Sequence, residues 1–476
     1  MARINTNVGA FIANTNLAKS QKALGTSLQR LSSGMRINSG ADDPAGLIAS
    51  ETLRSEIQGI STAIDNATRA SNVITTADAS LGEVSNLLVS IKGLVVQAAN
   101  SGALSPDEIE ANQLQVDSAI ASITRISNST SFAGLKLLDG SLGFITSGVA
   151  TSALHDVHIN TAQFGGATSI PVIVNVVQSA QTAALRYNAS AVTNSVTLEL
   201  SGRLGVQVLS FTSGTKSSAI AFAVNRISDS TGVTANVTSA TNASSGITFH
   251  SLGYGSKEFV SVQVLGNAAN FQTATTTGAT QNRTIGQDAI ASINGAQATG
   301  DGLSLTLNTA SLSLSLNLDS AFGIGTKTFS ITGGGALFQL GPQVQSNQQV
   351  NIAIDSVSAS RLGNAISGYL TDIVTGGSAS LANSPARASQ IIDAAINQVS
   401  VLRGRLGAFE KNTLETNINS LQVALENVTA SESTIRDTDF ASETSNLTRN
   451  QILVQAGTSV LAQANSTPQS VLNLLK

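Results

Sequence analysis

The chain has 476 residues and a net charge of −4 from 25 Lys and Arg against 29 Asp and Glu, a length that predicts two to four units and not one core. The balance is not basic and no Lys/Arg run occurs, which excludes a nucleic-acid footprint. The absence of cysteine excludes disulfides, thiolate metal sites and a Cys nucleophile. With no Trp and only Tyr187, Tyr254 and Tyr369, the chain lacks the aromatic anchors of compact binding sites; a Ser, Thr, Asn, Gly and Ala surface suits repeated contacts with copies. Met1 to Ala10 has no unbroken apolar run of signal-peptide kind. No apolar stretch approaching eighteen residues is evident, so no membrane insertion is expected. The expectation is a soluble protein that, if it leaves the cell, does so without a cut signal.

Residues 1 to 34 read as an amphipathic helix with a seam of Leu17, Leu24, Leu28 and Leu31, ending at Gly34. Residues 35 to 46 read as a connector, with Asp43 pushed out of helical geometry by Pro44. From Leu47 to Gln97, every seventh residue is apolar: Leu53, Ile60, Ala67, Ile74, Leu81, Leu88 and Val95. Only a long helix presents such a line on one side, and at this length it reaches roughly 75 Å. No single globule has a core that long, so partner helices or neighbouring copies must lie alongside it. Ser105-Pro106-Asp107-Glu108 is a helix start with a capping hydroxyl, Pro at the first position and an acid three residues on. It opens a shorter helix to about Ser127, an antiparallel neighbour of the long one.

From about Thr130 the apolar period changes to two. Val196/Leu198/Leu200, Val260/Val262/Val264, Leu303/Leu305/Leu307 and Leu312/Leu314/Leu316/Leu318 alternate with polar residues, as strands with one wetted face do. The middle therefore reads as antiparallel sheet modules joined by turns. Ser384-Pro385 reopens helix over about fifty residues, with Leu414, Leu421 and Val428 on its seam. After Arg436-Asp437-Thr438-Asp439, the tail repeats a seam of Phe440, Leu447, Val454 and Leu461 and closes apolar at Val471, Leu472, Leu474 and Leu475.

The fold class expected is an α+β multidomain chain: a long coiled-coil-like helical bundle built from both chain ends, with β-rich outer modules inserted in the middle. The boundaries are 1–46 for the first terminal helix and connector, 47–143 and 384–436 for the two halves of the long-helix domain, 144–383 for the β-rich region with a split near 280, and 437–476 for the last helix. Pairing first with last and second with second-last gives a rod. Ile4, Phe11, Val460 and the Leu474-Leu475 end stay uncovered, and each wet apolar side chain forgoes roughly 1.5–3 kcal/mol. Disorder of residues 1 to about 40 and 440 to 476 in the monomer is therefore expected, with helix forming on assembly.

These residues resemble the flagellin family. At the front the likeness rests on Ile4-Asn5-Thr6-Asn7, Leu31-Ser32-Ser33-Gly34, Arg36-Ile37-Asn38 and Asp42-Asp43-Pro44-Ala45-Gly46-Leu47. At the back it rests on Asp437-Thr438-Asp439-Phe440-Ala441, Gln451-Ile452-Leu453, Ala456-Gly457-Thr458 and Leu461-Ala462-Gln463-Ala464-Asn465. Ser292-Ile293-Asn294-Gly295 resembles a short β motif of some members. The resemblance implies a homopolymer of many copies in a hollow helical filament for bacterial swimming, with terminal helices inside and middle modules outside. It implies export, unfolded and without a cleaved signal, through the flagellar type III apparatus, an export chaperone on the C-terminal helix, and cap and junction proteins as partners. Filaments need a non-closing heterologous contact. The resemblance also places an innate immune receptor surface at Leu88, Ser90, Gly93, Leu94, Gln97 and Gln115. Ser90, Gly93 and Gln115 stand where receptor-activating members carry charges, so weak activation is expected.

No catalytic set, nucleotide fingerprint, cofactor site or metal cluster is evident, and the protein reads as a structural subunit and not an enzyme. His155 and His158 on one strand are expected to point to opposite faces as solvated residues. The glycines at 333 to 335 read as a turn, and Asp42 and Asp43 read as a helix-start connector, not paired catalytic carboxylates. Ser/Thr richness of the middle is compatible with O-linked sugars. The rival readings are a hook–filament junction protein, which shares the front motif, and a secreted adhesin, which rests on the outward sheets alone.

Overall fold

Helix dominates both ends of the chain and sheet the middle. The computed structural model describes residues 6–100, 102–238, 246–266, 268–365 and 367–474. It divides into one unit of residues 1–69, 339–344 and 411–476 and another of 70–338 and 345–410. In the first unit, α1 (Val8–Ser33) starts behind Asn7, whose side chain accepts the Ala10 N–H at 3.0 Å, and stops at Gly34, whose φ of 73° carries the left-handed cap. The long helix α2 (Pro44–Ala98) starts three residues before the expected Leu47. Asp43 Oδ1 takes the Gly46 N–H at 2.9 Å. Asp43-Pro44 is thus a cap followed by Pro at N1, the one helical position where proline is at home.

Within the second unit, α2 buries Ala70, Ile74, Ala77, Leu81, Val84, Leu88, Ile91 and Val95. Its 55 residues include an eighteen-residue window apolar enough, on average, to cross a membrane. This corrects the expectation that no such stretch exists, although the apolar line itself is turned into protein. Helix α3 (Pro106–Ser129) opens with the expected capping box between Ser105 and Glu108. Its buried Gln113 donates to the Ile373 carbonyl and accepts from Leu381 N–H, both at 2.8 Å. Helix α4 (Ser217–Arg226), in the β-rich middle, was not expected; its ten residues are too few for a clear 3.6 period. Helix α5 (Pro385–Phe409) runs antiparallel to α2, as Asp393–Lys92 at 2.6 Å, Arg403–Asp78 at 2.9 Å and Glu410–Ser71 at 2.8 Å place ascending residues of one against descending residues of the other.

The expected fifty-residue helix is interrupted by a π-helical turn at Glu410–Glu415, after which α6 (Thr416–Arg436) and α7 (Phe440–Leu474) follow in the first unit. Residues 339–344 also pack there. Leu340 is buried, Asn417 Nδ2 donates to its carbonyl at 2.8 Å, and Pro342 lies against Gly59. Disorder of the terminal segments is not what the described residues show: α1 and α7 are helical in the single chain because each seam shields part of the other, while Ile4 and Leu475 lie outside the described residues, as do the side chains of Val471, Leu472 and Leu474.

Nineteen strands form the four larger sheets of the middle: β1 (Phe144–Ser147), β2 (Leu154–Ala162), β3 (Ile170–Gln178), β4 (Thr182–Tyr187), β5 (Val196–Gly202), β6 (Gly205–Phe211), β7 (Val233–Val237), β8 (Ile247–Tyr254), β9 (Phe259–Val264), β10 (Thr273–Thr275), β11 (Arg283–Ile285), β12 (Ile290–Ile293), β13 (Ala296–Gln297), β14 (Thr299–Asp301), β15 (Ser304–Asn308), β16 (Leu312–Leu318), β17 (Gly325–Gly334), β18 (Ala336–Gln339) and β19 (Gln349–Ile352). One core lies between the sheets β13-β12-β3-β17-β1 and β14-β15-β16-β2-β19-β18, a second between β10-β4-β8-β7 and β11-β9-β5-β6. The second core uses residues 183–271 and the first uses residues on both sides of it. The modules are therefore nested, not consecutive with a split near 280. The period-two leucines of β16 are all buried, as one-sided strands require.

One expected turn is present, and another was read only as part of a short β motif. Asn294 and Gly295, both at positive φ, join β12 to β13 as an Asn-Gly hairpin, and the Asn294 side chain also bonds Ile173 N–H and the Pro171 carbonyl. Gly334 and Gly335 have φ of 88° and 80° in the β17–β18 turn. The histidines differ from expectation. Asp156, at φ 46°, bulges β2, so His155 sits opposite Asn317 and His158 opposite Ser315, on one face and not two. His155 Nε2 lies 3.0 Å from Asp319 and His158 Nδ1 3.7 Å from Asp355; among the described residues no group of three ligand-type side chains could hold a metal.

The outer module holds strands that approach closely. A Cβ on Gly300 would run into the Ala289 carbonyl, which cannot swing aside as a side-chain tip could. Gly300→Ala is expected to destabilise the second unit by about 1–3 kcal/mol, read as a lower melting temperature in calorimetry, with Gly295→Ser at the open hairpin tip as the milder comparison.

Candidate assembly surface

The terminal helices α1 and α7 lie antiparallel along their length. Asn7 Nδ2 donates to the Ala464 carbonyl at 2.7 Å, Leu17 lies against Gly457, Asn450 Nδ2 reaches Ser27 Oγ at 3.3 Å, and Arg30 faces Glu443 at 3.7 Å. A side chain at Gly457 would meet Leu17 within 3.2 Å, so the glycine lets the helices approach. Ala13, Leu17 and Ser27 are buried in the seam; Leu24, Leu31, Leu447, Val454 and Leu461 are half-buried. Two expected seam residues are not in it. Leu28 and Phe440 are exposed, because Leu28 stands four residues beyond Leu24, about 40° round the helix and away from the buried Ser27 side, and Phe440 is the first residue of α7.

The pair is fastened where the two connectors meet. Met35 and Asp437 form a β-bridge, flanked by Arg36 N–H to the Arg436 carbonyl at 2.7 Å and Thr438 N–H to the Gly34 carbonyl at 2.9 Å. The Arg36 guanidinium donates to the Ile435 carbonyl at 2.6 Å, so it occupies the C-terminal end of α6, where cations are favoured. Arg436 in turn donates to Glu51 at 3.0 Å. Ile37 is buried beneath the connector. Asp42 Oδ2 accepts from the Ser39 N–H, the Ser39 hydroxyl and the Asn38 N–H, so the connector folds around a carboxylate. The bridging backbone pairs are not encoded by any side-chain pattern, and sequence reasoning did not find them.

What remains open on this pair is apolar. Val8, Phe11 and Ile12 on α1 and Ile452, Leu453 and Val460 on α7 are exposed, Phe11 at 75% and Val460 at 57%. An exposed apolar run of this kind marks a contact surface. The remaining predicted seams are covered unevenly. Ile60, Ile74, Leu81, Leu88 and Leu414 are buried, whereas Leu53, Leu421 and Val428 are half-buried. Helix α6 has no buried residue and so presents a second half-covered seam.

The expected receptor surface needs one correction. Leu88 has no exposed area and packs in the helical core, out of reach of any partner. Ser90, Gly93, Gln97 and Gln115 are exposed and Leu94 is half-buried. Ser90 Oγ turns back to the Asn86 carbonyl at 3.0 Å.

Hydrogen bonds from the Ser39 N–H and then its hydroxyl hold Asp42 below the usual carboxylate range. Glu51 is lowered first by Arg54 and then by Arg436. A carboxylate depressed in the folded state contributes stability above its unfolded value near pH 4 and loses it as pH falls through the folded value. Acidification from pH 7 to about 3 is thus expected to lower the melting temperature of the first unit, and Asp42→Asn to flatten that dependence. A melting temperature independent of pH over this range would show that the connector carboxylates contribute nothing.

The first part of the chain, residues 4–142, matches the family model described as the bacterial flagellin N-terminal helical region, and residues 389–475 match its C-terminal helical region. The whole chain is similar to a flagellin of Salmonella rubislaw, 31% identical over 504 aligned residues with 99% of each chain covered. Flagellin of Salmonella typhimurium and B-type flagellin of Pseudomonas aeruginosa are each 30% identical with the same coverage. This chain belongs to the bacterial flagellin family.

Proposed function

We propose that this protein is the structural subunit of a helical flagellar filament, an extracellular polymer for swimming, and that the uncovered apolar side of the α1–α7 pair is buried by neighbouring copies. The single observation that carries the reading is that stripe, Phe11 and Val460 foremost, left wet on helices that are otherwise fastened by backbone bonds. Burial of Phe11 alone is worth about 1.5–3 kcal/mol, repeated at every subunit. The homopolymer needs no cofactor and no catalytic group, and we assign the chain no enzymatic role. Export through the flagellar apparatus without a cleaved signal, a chaperone on α7, and contacts with cap and junction proteins complete the reading. Likeness over 99% of the length of flagellins favours it over the junction-protein and adhesin readings.

Phe11→Ser and Val460→Ser, singly and together, are expected to raise the concentration needed for seeded filament growth by about tenfold or more per site, about 1.4 kcal/mol each, without loss of helix in the unpolymerised protein. Unchanged growth by electron microscopy and sedimentation would overturn the assignment of this surface. A purified protein that stops after a short ring would favour the junction protein. We further infer that the innate receptor is a weak partner, since Ser90, Gly93 and Gln115 offer it no charge; half-maximal activation in reporter cells should need at least about tenfold more of this protein than of a flagellin with charges there. Equal potency refutes the inference.

A further inference from the structure

Charge in the first unit is segregated along the chain. From Thr6 to Ser39, the stretch that builds α1, there are four cations, Lys19, Lys22, Arg30 and Arg36, and no acid. Arg30 faces Glu443 and Arg36 sits on the Ile435 carbonyl. Lys19 and Lys22 are exposed on one side of the helix, and among the described residues neither has a carboxylate within ion-pair distance. With Arg30, Glu443, Asn446 and Asn450 they line a groove of about 440 Å³ between α1 and α7. Arg30 Nε is buried without a hydrogen-bond acceptor, which is costly until one is supplied. The groove is short of negative charge.

The start of α2 and the connector before it carry the reverse balance. Between Ala41 and Arg69 stand Asp42, Asp43, Glu51, Glu56 and Asp65, against Arg54 and Arg69 alone. Glu51 is held by Arg54 and Arg436, each at 3.0 Å. Glu56 is exposed, and among the described residues it has no cation within ion-pair distance. Both carboxylates line a second groove, of about 780 Å³, together with Ile48 and Pro342. Ile48 is 71% exposed beside them, so acid and apolar surface lie together there. The two grooves have no residue in common.

We propose that the Lys19–Lys22 side of α1 docks in the Glu51–Glu56 groove of the next copy. Within one chain these lysines form no ion pair; between copies, each surface supplies the charge that the other lacks. Two α1 sides repel one another and so do two α2 grooves, which suppresses pairing of like faces. The contact is therefore heterologous: it uses two different surfaces, leaves one of each free at the ends of an assembly, and repeats from copy to copy in a single orientation. Exposed ion pairs add little affinity. They select which faces meet, while burial of apolar side chains holds the copies together. The inference rests on the filament reading and names the surface of the neighbour that meets α1.

Seeded filament growth of three variants tests it. Lys22→Glu and Glu56→Lys each set like charges face to face and are expected to raise the concentration needed for growth about tenfold. The chain carrying both has the attraction restored with its sign reversed, and should grow within about threefold of the unsubstituted protein. Circular dichroism checks that the unpolymerised variants keep their helix. Should a reversal cost helix, Lys22→Gln and Glu56→Gln decide in its place, each expected to weaken growth about threefold. A double variant outside the threefold range, or single variants that grow like the unsubstituted protein, overturn the inference and leave the filament reading standing. If the unsubstituted protein grows no filament, that reading falls and takes this one with it.

Discussion

The backbone bridge between Gly34–Arg36 and Arg436–Thr438 is the contact on which the rest depends. Residues some 400 positions apart in sequence meet there through main-chain groups, so the closure entropy of a very long loop is met at one place. Once it is closed, α1 has no course but along α7, and the start of α2 is set beside the end of α6 by the Arg436–Glu51 pair. The connector carboxylates Asp42 and Asp43 then fix the turn and the helix start from one side each. These are small, polar and local interactions, yet they decide which apolar faces end up covered and which stay open.

The apolar faces follow from that closure. Helices α2 and α5 zip through small and branched residues with ion pairs along the margin, and their seam is dry. Helices α1 and α7 have only each other, and two narrow helices cannot enclose a stripe as wide as theirs. In the filament we propose, the dry seam gives the single molecule a stable framework and the wet one is held for the polymer. The nested sheet modules sit in one long insertion between the helical segments, an arrangement that lets the middle of the chain vary without disturbing either seam.

Much of this was legible in residues. The heptad line from Leu53 to Val95 could be read because one helical face repeats it without interruption, and Ser105-Pro106 because its chemistry allows few alternatives. The period-two leucines of β16 announced a one-sided strand. Other features were hidden for physical reasons. The bridge of Met35 with Asp437 is made by backbone, which every residue possesses. The bulge at Asp156, which brings His155 and His158 to one face, breaks the alternation used to place them. Leu28 fell out of the seam because four residues from Leu24 turn it to the edge of the face, and Phe440 because it is the first residue of its helix. The nesting of two sheet cores is a matter of which strands pair at long range, and alternation within a strand carries no record of its partner.

The central claim is that closure at the connectors leaves α1 and α7 half-covered until copies cover them. Amide hydrogen exchange over these two helices, compared between the unpolymerised protein and the filament, tests it most directly. The account predicts modest protection in the single molecule and a rise of about a hundredfold or more in the filament along Val8–Leu31 and Leu447–Leu461. Equal protection in the two states would contradict it.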